Sequence, residues 1–320
     1  MGTVGQTYKN GAWVVPVSIR GGLVLLAVAA LISGCADPAG TGARPQGPLN
    51  APAAPAADLR ADKTRIQADK TRIRAARLRA EQTRIAAARR WGLKDVPLTA
   101  PPAPATKPRI TTRHGFEVDG HEEKGLPPVF TTVPTEQKIV FLTIDDGAEK
   151  DPAFLRMMSE LRIPYTAFLS DYLIKDDYGY FARMRDTGVV LNNHTLHHPY
   201  LPALSYARQR REICGMQDVI EKRFGTRPTL FRPPYGNYNE DTLRAARSCG
   251  VKYAPIWNEE VFVDRWEYRE WDQDIHPGDI VLSHFRGRKD WKGTMPDMVR
   301  RFLNRVTAEG YAVARLEDYL

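Results

Sequence analysis

The chain has 320 residues, of which 42% are hydrophobic and 26% charged, and a formal net charge of +8. Length alone permits two modest domains or one barrel-sized domain preceded by other material. Composition favours the second, because Ala, Pro, Arg and Thr dominate from Asp37 to Pro108 and Trp91 is the only aromatic residue in that stretch. The charge is uneven: residues 58 to 90 hold eleven Lys or Arg against four acids, so the basic balance describes that segment and gives no ground for a nucleic-acid partner.

Residues 1–34 read as an export signal. Lys9 and Arg20 precede the apolar run "GGLVLLAVAALISGC", which is shorter than the roughly 20 residues that cross a bilayer. The run ends in Ile32-Ser33-Gly34-Cys35, which resembles a bacterial lipobox with Cys35 as the lipidated residue; an uncleaved anchor is the alternative. Either way the remainder lies outside the cytoplasmic membrane, anchored to its outer face.

Residues 35–57 are a linker rich in Pro, Ala and Gly, a composition that cannot bury a core. Over 58–92 the repeat "ADKTRIQ", "ADKTRIR" places Leu59, Ile66, Ile73 and Ala80 seven residues apart, which predicts helix. The companion seam positions are mostly charged or Ala, so no stable coiled coil is expected. The segment reads as a solvated helical spacer or, more sharply, as a cationic arm on anionic lipid or wall polymer over residues 58–90. A second, Pro-rich linker is expected over 93–108.

From residue 109 to 320 the texture is that of one alternating α/β domain. Apolar runs "KIVFLTI", "YTAFL", "GVVLN", "TLF", "VKYAPIW" and "DIVLSHF" alternate with helical stretches at 151–161, 204–224, 239–248 and 296–309. Such alternation implies parallel strands with covering helices, in a barrel or an open sheet, where chemistry gathers at the strands' C-terminal ends. Cys214 and Cys249, exported and even in number, read as a disulfide, with two separate buried thiols as the alternative.

Four strand ends carry reactive side chains. "KIVFLTIDDG" ends in Asp145 and Asp146, "GVVLNNHTLHHP" brings His194, His197 and His198, "TLFRPPYGNY" brings Arg232, Pro234 and Tyr235, and "GDIVLSHF" ends in His284. One carboxylate with two imidazoles makes a metal site that leaves positions for water, and the paired carboxylate is left over for proton transfer. Pro199 disfavours helix for His198, so the histidines are expected on a loop.

"TIDDG", "HTLHHP", "RPPYG" and "LSH", in this order, resemble the motifs of the polysaccharide deacetylases, carbohydrate esterase family 4 or NodB-homology domain. The resemblance covers roughly residues 110 to 320 and implies a distorted (β/α) barrel of fewer than eight strands. It implies that Asp146, His194 and His198 hold a divalent metal, with zinc first by ligand type and cobalt, iron or manganese compatible. It implies Asp145 as the general base, Arg232 as the residue that holds this base ionised and oriented, and His284 as the acid that protonates the departing amine. A backbone N–H near Tyr235 would face the oxyanion, and Leu282 would line the pocket for the acetyl methyl.

One motif departs from the pattern. Where the family places an Asp and a Trp before the last motif, the chain reads "IWNEEVFVDRWEY", and Asp264 and Trp266 are the candidates for the partner of His284 and a pocket wall. Phe285 follows His284 where an acid is common. The implied activity is metal-dependent removal of N-acetyl groups from an envelope polysaccharide, with GlcNAc or MurNAc of peptidoglycan as the default. An O-acetyl esterase on the same fold, or a glycan-binding lipoprotein without activity, are the rival readings.

Overall fold

A computed structural model describes residues 56–112 and 124–320, and Arg60–Leu320 form one compact unit. The export signal, Cys35 and the linker up to residue 55 lie outside the described residues. The described strands are β1 (Leu98–Thr99), β2 (Val129–Phe130), β3 (Ile139–Asp146), β4 (Thr166–Leu169), β5 (Leu191–Asn193), β6 (Ala254–Pro255), β7 (Glu259–Val261), β8 (Trp266–Tyr268), β9 (Ile280–His284) and β10 (Ala312–Val313). The helices are α1 (Ala56–Arg90), α2 (Pro152–Leu161), α3 (Asp171–Ile174), α4 (Tyr178–Asp186), α5 (Tyr206–Phe224), α6 (Glu240–Ser248) and α7 (Met295–Ala308).

β3 is buried at all eight positions, its apolar run from Ile139 to Leu142 and Ile144 suiting a parallel strand covered on both faces. β4 and β9 flank it in parallel, and β5 follows β4. The circuit then passes through the bridges Asn193 to Phe231 and Leu230 to Tyr253, along β6 to β2, and returns through Thr132 and Asp279 to β9. The result is an irregular barrel with fewer than eight strands in its wall. β7 joins β9 from outside this circuit and carries β8 as an antiparallel neighbour.

Helix α5 ends where Gly225 adopts a left-handed φ of 81°, a conformation that suits a residue without Cβ. Asn239 and Thr242 form a capping box at the start of α6, and Thr294 and Asp297 do the same for α7. Cys214 on α5 and Cys249 at the end of α6 are joined by a disulfide with Cα atoms 5.0 Å apart.

The N-terminal segments divide differently from the sequence expectation. Ile66, Ile73 and Leu78 on α1 are more than half exposed, so this part of the helix is a solvated rod. Its last turns are docked: Ala87 and Ala88 are buried in the core that also holds residues of α2 and α7. Trp91 Nε1 donates to Glu160 Oε2 at 2.6 Å, and Arg300 Nε donates to the Trp91 carbonyl at 2.9 Å. Residues 93–108, expected as a Pro-rich linker, pack against the domain at several points. β1 pairs in parallel with β10, the Lys94 N–H donates to Asn304 Oδ1 at 2.9 Å, and Lys107 Nζ donates to the Asp318 carbonyl. Sheet hydrogen bonds and a partly buried Trp91 override the local composition, because they satisfy polar groups that a free linker would leave to water.

Candidate functional site

Side chains alternate along a strand, so Thr143 and Asp145 of β3 share a face with their register partners Leu282 and His284 of β9. Asp146 would face the other way, but its φ of 80° and that of Gly147, 90°, break the strand there. Consecutive carboxylates thus reach one point. A side chain at Gly147 would be strained and would also place Cβ 2.5 Å from Ile174 Cγ2.

Asp145 is held by Arg232, a fully buried guanidinium whose Nη1 donates to Asp145 Oδ1 at 2.8 Å and to Thr143 Oγ1 at 2.9 Å. Its Nε and Nη2 donate to the carbonyls of Pro255 and Ile256 at 3.0 and 3.2 Å, and Phe168 lies under its plane at 4.4 Å. Burial pushes the Asp145 carboxyl above the ordinary range, and the opposing charge of Arg232 does not fully reverse this. A carboxylate so raised is a stronger base than a solvated one.

His194 Nε2 lies 3.7 Å from Asp146 Oδ1 and from Asp145 Oδ2, and His198 Nε2 lies 3.4 Å from Asp146 Oδ1. The histidines sit on a loop in which Thr195 and His198 have φ of 71° and 55°, and the His198 N–H donates to Thr195 Oγ1 at 3.0 Å. Two observations fit this triad to a divalent cation. Asp146 Oδ1 is buried and accepts no hydrogen bond. The Arg232 carbonyl lies 2.7 Å from His194 Nδ1, which places the proton there and leaves the Nε2 lone pair for a ligand bond. Burial, chiefly, lowers the pKa of His194 to about 3 and also lowers that of His198, so both imidazoles are neutral, as ligation requires. The third histidine of the cluster points elsewhere: His197 Nδ1 meets Glu212 Oε1 of α5 at 3.0 Å and ties the loop down.

His284 Nδ1 faces Glu260 Oε1 at 3.0 Å. Burial opposes its charged form, yet the hydrogen bond with Glu260 and the charges of Asp146 and Asp145 raise its pKa overall. The imidazole is therefore poised to carry a proton. Asp264 and Trp266 are corrected as its neighbours. Asp264 lies in the exposed turn between β7 and β8, paired with Arg265 at 3.2 Å, and Trp266 stacks on Phe302 of α7 with ring centroids 6.0 Å apart. Glu260 takes the place instead because it is the β7 residue in register with Leu282, two residues before His284. Nothing in the pair Glu259-Glu260 tells which one faces the site until the register is known.

Pro234 is buried, and Tyr235, 59% exposed with φ of 61°, forms one wall with its ring 4.6 Å from that of His198. Trp257 adjoins this turn, since a Cβ on Gly236 would lie 3.0 Å from its ring. Arg286, which lies outside the motifs that point to the site, donates from Nη2 to Asp146 Oδ2 at 2.6 Å and leaves Oδ1 to the histidines.

The family model described as polysaccharide deacetylase matches residues 132–254. An uncharacterised protein of Streptomyces coelicolor is 42% identical over 203 residues, spanning 63% of this chain and 81% of that protein. The peptidoglycan-N-acetylmuramic acid deacetylase PdaA of Bacillus subtilis is 26% identical over 198 residues, spanning 58% of this chain and 73% of PdaA. Among solved structures, a family 4 carbohydrate esterase from Bacillus anthracis superposes with a TM-score of 0.51 at 26% identity, covering 64% of this chain and 95% of that one.

Proposed function

This chain belongs to the polysaccharide deacetylase family, carbohydrate esterase family 4, and from that premise we propose that it removes N-acetyl groups from GlcNAc or MurNAc residues of peptidoglycan and releases acetate. It is a metal-dependent hydrolase of carbon–nitrogen bonds other than peptide bonds. The observation that carries the reading is the meeting, at the ends of β3 and β9, of a buried carboxylate fixed by Arg232, an orphaned carboxylate oxygen facing two neutral imidazoles, and a histidine backed by Glu260.

In this reading Asp146, His194 and His198 hold the ion, and zinc is the ion we propose. When bound, it polarises the acetyl carbonyl and makes its water acidic. Asp145 takes the proton of the attacking water, and Arg232 keeps the accepting oxygen aimed. As the carbon–nitrogen bond breaks, His284 gives its proton to the departing nitrogen, and Glu260 stabilises the charged imidazole before transfer. The turn at Pro234 and Tyr235 flanks the oxyanion, and Leu282, on the same face as His284, lines the place of the acetyl methyl. An alkoxide would leave with less help, so the raised His284 favours an amide over an ester substrate. Glu260 supplies what the altered fourth motif lacked and removes the main reason to suppose an inactive binder.

Cys35 would tether the chain to the outer face of the membrane, with residues 35–57 as the leash. The test is the full chain with Zn²⁺, offered an acetylated chito-oligosaccharide and, separately, a muropeptide released from peptidoglycan. Equal amounts of acetate and free amine are expected. Acetate without amine would make it an O-acetyl esterase, and neither product would leave a glycan-binding protein.

A further inference from the structure

A second cluster of carboxylates and imidazole lies at the other end of β9, unused by the reaction above. Glu259 opens β7, Asp279 immediately precedes β9, and His276 lies three residues earlier; one ligand atom from each stands within 4.8 Å of the others. Glu259 and Asp279 are each 1% exposed. Both oxygens of the Glu259 carboxyl are buried and lack a donor at full hydrogen-bond geometry, with the side chains of Asp279 and Asn258 beside them. Tyr268, in register opposite Glu259, also has a buried hydroxyl with no hydrogen-bond partner.

The donors around the cluster are neutral and mostly engaged by Asp279. Asp279 Oδ1 accepts from Thr132 Oγ1 at 3.0 Å and from Asn258 Nδ2 at 3.3 Å, and Oδ2 accepts the His276 N–H at 2.7 Å. Arg305 stands over the Tyr268 ring at 5.3 Å and pairs with Glu309 at 2.8 Å and Asp274 at 3.6 Å. A buried carboxylate without a cation is strongly disfavoured, so something must neutralise Glu259. His276 Nε2 faces Asp272 Oδ2 at 3.2 Å, while Nδ1 faces Asp279 Oδ2 at 3.4 Å. With the proton on Nε2, the Nδ1 lone pair is turned into the cluster, and Asp272 acts on His276 as the Arg232 carbonyl acts on His194.

We propose that Glu259, His276 and Asp279 form a second divalent-cation site, separate from the catalytic triad. Two carboxylates and one imidazole suit Mn²⁺ or Zn²⁺ rather than a soft ion. The ion clamps β7 and the turn from Asp272 to the start of β9. The alternative is that Glu259 keeps a proton and shares it with Asp279.

The two accounts separate in the full chain carrying His194→Ala and His198→Ala, which disable the catalytic triad. After chelation and dialysis against Mn²⁺, one Mn per chain is expected by elemental analysis, together with a rise in the thermal midpoint on adding Mn²⁺. Adding His276→Ala, at a half-exposed side chain whose loss leaves the core intact, is expected to abolish both, and so is adding Glu259→Gln. The proposal is overturned if the triad-less chain binds no Mn, or if its bound Mn survives both further substitutions. A Glu259→Gln chain with an unchanged or higher midpoint and no response to Mn²⁺ before or after the substitution would establish the shared proton instead.

Discussion

Arginine serves in two opposite ways in this molecule. Along α1, Arg65, Arg72, Arg74, Arg77 and Arg79 are exposed to solvent. In the barrel Arg232 is fully buried, and the N–H groups of its Nε, Nη1 and Nη2 reach Asp145, Thr143 and the carbonyls of Pro255 and Ile256. The first kind dominates the net charge; the second fixes a buried carboxylate. Exposed charges interact weakly with one another, whereas removing one member of a buried pair costs on the order of 3–5 kcal/mol because its partner stays behind uncompensated. Charge counted from composition therefore reports on the exposed helix rather than on the barrel.

The sharpest division between the two kinds of charge is expected at Asp145. Asp145→Asn keeps the shape and the contact with Arg232 but cannot take a proton, so turnover should fall by at least about a thousandfold while bound metal stays near that of the wild type. His198→Ala should lose the metal as well as the activity. Elemental analysis beside the rate assay decides, and equal metal loss in both would exchange the roles of Asp145 and Asp146.

Carboxylates divide in the same manner. Glu260→Gln should lower kcat by about a hundredfold and move the limb of the pH profile that belongs to the acid, since Glu260 faces His284 at 3.0 Å. Asp264→Asn, in a solvated turn 60% exposed, should change neither. A larger effect from Asp264 would return the fourth-motif role to the position that the sequence favoured.

Outside the barrel, the disulfide closes a loop of 35 residues between α5 and α6. Replacing both cysteines by Ser should lower stability by about 4 kcal/mol on the loop-entropy model, with kcat on the folded fraction unchanged. Denaturant titration and the specific rate test the two halves of that statement.

Glu317 is a half-buried acid hydrogen-bonded by neutral side chains. It accepts from Thr166 Oγ1 at 2.9 Å and Asn192 Nδ2 at 3.0 Å, yet burial outweighs these bonds and raises its pKa from 4.5 to about 7. The folded pKa lies above the unfolded one, so the unfolded chain releases this proton first. Its contribution to stability falls as pH rises from about 4.5 to about 7, by up to roughly 3 kcal/mol, and is level above that window. Glu317→Gln should flatten this slope in chemical denaturation at stepped pH. An unchanged slope would show that Glu317 ionises freely in the folded chain.

How much of this was legible depended on the kind of signal. The runs that became β3, β4, β5 and β9 are mainly apolar, and α2, α5, α6 and α7 begin and end within two residues of the helical stretches expected from the sequence. α3 and α4 were missed because their buried residues, Ile174, Tyr180, Phe181 and Met184, are too few and too unevenly spaced to form a stripe. The carboxylates and histidines at strand ends could be named from residue type and from the motifs they resemble. Glu260 and Arg286 could not, since their roles depend on strand register and on the path after β9. The docking of residues 84–107 was hidden for a related reason. A two-residue strand and a few side-chain bonds leave no trace in an Ala- and Pro-rich composition.

That docking changes how the cationic arm must be tested. Cutting the chain at Arg109 would remove β1 from β10 and uncover the core around Ala87, Ala88 and Trp91, so lost binding and lost folding would be confounded. Charge exchange on the solvated part avoids this. Arg65, Arg72, Arg74, Arg77 and Arg79 replaced together by Gln leave the docked turns and the site untouched. If the arm lies on anionic lipid, the full chain should sediment with phosphatidylglycerol vesicles at low salt and be released as salt shortens the Debye length to about 8 Å at physiological strength. The substituted chain should sediment less at low salt and show a flatter salt dependence, with the rate on a short soluble substrate the same in both. Identical sedimentation would make residues 58–83 a spacer and confine the chemistry of arginine in this protein to the barrel.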